Sequence, residues 1–94
     1  MNQDIQDYDR AVSEAEEFIP LEMTIALQKA FQADESVIPI WREYRGMTQV
    51  ELAQKSDIPQ SYLSDIETGK KPGSTKAIVS IAKSLEVSVD DLTL

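Results

Sequence analysis

The stretch from Thr48 to Lys71, TQVELAQKSDIPQSYLSDIETGKK, gathers side chains whose chemistry is hydrogen bonding. Gln49 and Gln60 each carry an amide that both donates and accepts, Ser61 and Ser64 carry hydroxyls, Asp65 only accepts, and Lys70 and Lys71 are cationic donors. Bond-making chemistry has little to work with. The chain holds neither Cys nor His, which removes thiolate nucleophiles, disulfides, imidazole bases and nearly every zinc or haem ligand set. The serines lack a base to activate them. Asp90 and Asp91 are adjacent and fall on different faces of any helix. No Gly-rich phosphate loop and no metal constellation beyond scattered surface acids is present. These residues predict a protein that is not an enzyme and needs neither cofactor nor metal.

Two short helices joined by a tight turn must position the polar groups. Thr48 opens the first as a capping box with Glu51, each side chain satisfying an orphan backbone donor. Leu52 and Ala53 face inward, SDIP makes the turn, Leu63 and Ile66 are the inward residues of the second helix, and TGKKPG ends it. On the N-terminal side, Ser36 can cap a helix with Pro39 in its opening turn, Ile38 and Trp41 facing inward, and Gly46 as its stop. On the C-terminal side, Ser74 caps a helix in which Ile78, Ile81, Ala82 and Leu85 recur at i, i+3, i+4 and i+7. VSVDDL supplies a last short turn, with Val87, Val89 and Leu92 closing the core. No strand pattern, internal repeat or low-complexity tract is visible.

Residues 1–35 are of a different character. They hold nine acids against Arg10 and Lys29, whereas Ser36 to Lys76 holds six bases against five acids. The net charge of -8 therefore lies mostly in an acidic N-terminal arm and not in the polar helix pair. Ile5, Tyr8, Val12 and Ala15 mark a weak helical face; Pro20 interrupts it; Met23, Leu27, Ala30 and Phe31 make a better stripe from about Leu21 to Gln32. Ninety-four residues suit one core plus a tail. No run of about 20 apolar residues could span a bilayer, and the acidic start lacks the basic and apolar stretches of a secretory signal, so a cytoplasmic location is expected.

From Ile38 to Leu92 the chain resembles the Cro and phage-repressor-like helix-turn-helix family, through REYRGMTQVELAQKS, QSYLSDIETGK and IAKSLEVSVDDL in that order. The resemblance implies an all-α, five-helix DNA-binding domain over residues 36–94, with the motif at 48–67, preceded by the partly helical arm. It implies that the second helix of the motif lies in the major groove of an operator, with Gln60, Ser61, Ser64 and Asp65 facing base edges. Gln49 would hold a phosphate, with Lys70, Lys71 and Arg45 as further backbone contacts. Arg42 and Glu67 match an Arg and a Glu that pair in these relatives and tie the helices together. The family also implies a homodimer on a palindrome. The sequence departs from the pattern at Asp57 and Glu86, where Gly is customary, and at Pro59, which replaces the usual Ser or Thr cap. Pro59 and Asp65 leave the base contacts open, and Asp65 could instead pair with a Lys of its own chain.

The acidic arm ahead of IPIWREYRGMTQ also resembles antitoxins of bacterial type II toxin-antitoxin modules, whose partners are often RelE-like or ParE-like basic toxins. That resemblance implies autoregulation of the operon and a toxin-covering surface, for which Tyr8, Val12, Phe18, Ile19, Met23, Leu27 and Phe31 are the expected apolar anchors. The alternatives are an arm that packs on its own domain or serves in dimerisation, a stand-alone phage-type repressor, and a protein-interaction module on the same fold.

Overall fold

The computed structural model describes residues 18–93, which form six helices and, among the described residues, no strand. They are α1 (Leu21–Gln32), α2 (Ile38–Tyr44), α3 (Gln49–Lys55), α4 (Gln60–Glu67), α5 (Thr75–Leu85) and α6 (Val89–Thr93). Ile38, Leu52, Leu63, Ile81, Leu85 and Val87 are the largest fully buried side chains, so α2 to α5 and the loop after α5 all supply the same core. None of the helices is long and apolar enough to cross a membrane.

Local chemistry sets the helix ends. The Thr48 hydroxyl accepts from the Glu51 N–H at 3.1 Å, and the Glu51 carboxylate accepts from the Thr48 N–H at 3.0 Å. Ser74 caps α5 by accepting from the Ala77 N–H. Ser36 stands one residue before Val37, the cap of α2, and its hydroxyl accepts from the Ile38 N–H. Ser88 and Asp91 exchange reciprocal bonds at the entry to α6, which gives that carboxylate a capping role. Gly46 follows α2 at φ 71°. Asp57 and Glu86, which stand where Gly is customary, take the same left-handed conformation at φ 56° and 57°.

α1 is where the structure departs most from the sequence expectation. Met23 and Ala30 are buried in the common core, and Leu27 and Ile19 are half-buried against it. α1 packs on α2. The helix thus belongs to the globule, and Met23 is corrected from partner anchor to core residue, while Leu27 and Ile19 keep part of their surface exposed. The reason is geometric: residues four and seven apart share a face, and this one is covered by the chain's own second helix. Phe31, grouped with that stripe in the sequence, instead stays exposed, as does Phe18. Tyr8 and Val12 lie outside the described residues.

Candidate nucleic-acid interface

α3 and α4 are held at a fixed angle by a turn with no slack. The Asp57 N–H donates to the Gln54 carbonyl and the Ile58 N–H to the Ala53 carbonyl, closing α3 around the left-handed Asp57. The buried Ser56 hydroxyl donates to Ser84, whose own hydroxyl donates to the Ser80 carbonyl, so the turn is tied to α5. Pro59 occupies the cap position of α4 and not its first helical turn; its carbonyl accepts from the Tyr62 and Leu63 N–H groups at 3.1 Å each. With Leu63 and Ile66 buried beneath it, α4 presents Gln60 and Ser61 to solvent, with Ser64 partly exposed along the same edge.

Four side chains form a continuous relay behind that edge. Arg42 donates from Nε to Glu67 Oε2 at 2.9 Å and from its Nη2 to Oε1 at 3.2 Å, while its Nη1 donates to the Met47 carbonyl. Glu67 Oε1 also accepts from Gln49 Nε2 at 3.2 Å, and Gln49 Oε1 accepts from Gln60 Nε2 at 3.3 Å. The direction of the relay is dictated by the end groups. A guanidinium only donates and a carboxylate only accepts, so Gln49 must turn its NH2 to Glu67 and its oxygen to Gln60. Gln60 is left with its own oxygen and one N–H for an outside partner. The Glu67 side chain is only 5% exposed, so the anchor of the relay is shielded from competing water.

The remaining expected contacts divide. Asp65 is engaged within the chain: its carboxylate lies 3.6 Å from Lys71 Nζ, and its carbonyl accepts from the Lys71 N–H. Lys71 Nζ also sits 5.9 Å from the Tyr62 ring. It remains 61% exposed and, with exposed Lys70, provides positive charge beyond the end of α4. Arg45 is the clearest revision. Its Nε donates to the Leu85 carbonyl and its Nη2 to the Glu86 carbonyl, and the guanidinium stacks near Tyr44 and Trp41. It closes the C-terminal end of α5, where a cation is electrostatically favoured, so a phosphate would have to compete with those bonds.

Tyr62 has a role the sequence left open. Its hydroxyl oxygen accepts from the Ser74 N–H at 2.8 Å, pinning the loop that carries Lys70 and Lys71 to α4. Nothing in the local sequence signals this, because the two residues are twelve apart and meet only through the loop. Among the described residues no group of acids is placed to hold a metal ion.

A short helix crossing to a second helix with a shielded apolar base and a polar outer edge defines a helix-turn-helix protein. The helix-turn-helix family model matches residues 40–92. The chain belongs to this family, whose Cro- and repressor-type members share the pattern, and is a DNA-binding transcriptional regulator. Comparison with curated proteins and with solved structures returns no match.

Proposed function

We propose that the protein is a sequence-specific repressor that seats α4 in the major groove of a palindromic operator as a homodimer. The observation that carries this reading is the pre-oriented Gln60 amide on an exposed edge of α4. Its oxygen and remaining N–H match the N6 donor and N7 acceptor of adenine. Ser61 and Ser64 address neighbouring base edges, Lys70 and Lys71 meet phosphates, and two copies read half-sites about 34 Å apart. Asp65 acts through Lys71, neutralising part of its charge, and not by reading a base. Selection from a pool of random duplexes should yield a palindrome, and affinity for it should fall with salt with a slope of about -4 or steeper in log-log form. No enriched duplex and no salt dependence would reject the reading in favour of a protein-binding module.

A second reading, favoured by the 92% exposure of Phe18, is that the repressor is also the antitoxin of a toxin-antitoxin module. Phe18 directly follows a stretch, residues 1–17, with six acids against Arg10 alone, which suits a basic protein such as a RelE- or ParE-like toxin. Removing residues 1–17 leaves Met23 and Ala30 in the core and is the appropriate test. Loss of binding to the product of the adjacent gene, with operator binding retained, supports this role; unchanged binding and neutralisation reject it.

A further inference from the structure

α1 is amphipathic twice over. One face delivers Met23 and Ala30 to the core, and the opposite face carries Leu21 at 72% and Ile25 at 44% exposure, followed by Gln28 and Gln32. Phe31, 58% exposed, borders this second face near the C-terminal end of the helix, and Phe18 stands on the chain entering it. Leu21 and Ile25 on one exposed face, with the exposed Phe31 and Phe18 at its margins, mark a contact surface on a protein this small.

The charges beside the row select its occupant. With 3.6 residues per turn, Glu22 and Lys29 stand two turns apart on the same edge of the outer face. Both are exposed, and neither side chain is paired within the described residues. A basic partner would be met by acids along the whole edge, whereas here one acid and one base bracket the row symmetrically about Ile25 and Ala26. A two-fold axis at that point, perpendicular to the helix, reverses the order of residues in the second copy and keeps the same edge uppermost. Glu22 then faces Lys29 of the second copy, and Lys29 faces its Glu22. Ile25 meets its own counterpart near the axis, and Leu21 lies in the layer of Phe31. The opposed helix dipoles add to this arrangement.

We infer that a second copy of this chain covers the outer face of α1, in an antiparallel α1 pair centred on Ile25 and fixed in register by reciprocal Glu22–Lys29 bridges. This deepens the repressor reading by naming the contact that joins its two halves.

The test measures assembly of the full chain without DNA, by analytical ultracentrifugation across a concentration series. The parent should be dimeric at micromolar concentration. Ile25→Asp, on a solvent-facing position that the fold does not need, should weaken the dimer at least tenfold while circular dichroism and melting stay near those of the parent. Glu22→Lys should weaken it roughly fivefold by setting like charges together, and adding Lys29→Glu to that variant should restore it, because the swapped charges again meet as opposites. A monomeric parent, a dimer indifferent to Ile25→Asp, or a double variant as weak as Glu22→Lys alone overturns the inference. So does a face that is lost to self-association but captured by the basic product of the adjacent gene. Because no DNA is present, each of these results can stand beside intact operator binding, which would leave the repressor reading in force with its dimer contact elsewhere.

Discussion

Gln60 donates a hydrogen bond to Gln49, 3.3 Å away across the turn, and thereby inherits an orientation set by Glu67. The Gln60 amide is oriented before any DNA arrives, which on the proposed reading lowers the ordering cost of its contact with a base. Gln60→Ala should weaken binding to the selected palindrome by about 1–3 kcal/mol and relax preference at one base pair per half-site. Gln49→Ala should weaken it less, since Gln60 survives but turns freely. The double variant should lose less than the sum of the two, by about 0.5 kcal/mol or more, when measured by fluorescence anisotropy at one salt concentration. Strict additivity would mean that the relay does not operate on DNA.

Arg42 and Glu67 form the other end of the relay, with side-chain exposures of 15% and 5%. Removing either strands the other charge and costs roughly 3 kcal/mol. For a chain of this size that is a fall in melting temperature on the order of 10–20 °C. Arg42→Ala should show this fall in a thermal melt. Arg42→Met with Glu67→Leu should recover much of the lost stability, because an apolar pair of similar volume has no charge to desolvate. It should not recover DNA binding, since Gln49 then has no acceptor to turn towards. A double variant that binds as well as the parent would separate the ion pair from recognition.

The contrast between these two pairs explains what could be read without coordinates. Helix starts such as Thr48 with Glu51 are spelled by residues three apart, and the inward positions Leu52, Leu63, Ile81 and Leu85 follow from helical period alone. The all-helical fold is legible for that reason, and the helix-turn-helix domain through the resemblance of its motifs to the repressor-like family. Contacts between residues far apart were not. Arg45 looked like a phosphate ligand because it is a cation near the motif, yet its place is decided by the Leu85 and Glu86 carbonyls forty residues on. α1 misled because its acidic setting masked two apolar faces, one for the core through Met23 and one outward through Ile25. Gln49 reads from the sequence as a phosphate contact, and its bond to Glu67 emerges only once α3 and α4 are set against each other.

Asp57 sits at φ 56°, a conformation that costs an L residue roughly 1 kcal/mol and Gly nothing. Asp57→Gly should therefore raise the melting temperature by a few degrees despite the greater freedom of the unfolded chain. Gly73 gives the converse. Its φ is 79°, and an added Cβ would lie 3.1 Å from the Cδ1 atoms of both Ile66 and Ile78. Gly73→Ala should destabilise by more than about 1 kcal/mol, combining backbone strain with a displaced core contact. Equal melting temperatures for the parent and both variants would show that neither backbone site is under constraint.

Glu51 couples the capping box to pH. Its carboxyl is held below the ordinary glutamate value, first by the hydrogen bond from the Thr48 backbone and then by the Thr48 side chain, against an opposing effect of desolvation and with a lesser lowering by Lys55. A carboxyl whose value is lowered by folding stabilises the folded chain fully at pH above its unfolded value, and that contribution is lost as pH falls through the folded one. Glu51→Gln keeps the shape of the box but not its charge at the positive end of α3. The variant should therefore melt below the parent at neutral pH, and the gap should narrow from the ordinary glutamate range downward, closing once Glu51 is protonated in the folded protein. Paired thermal melts at neutral pH, at pH about 4 and at pH about 3 measure this directly. A gap that stays constant over that range would mean that the charge of Glu51 contributes nothing and that the box acts through its geometry alone.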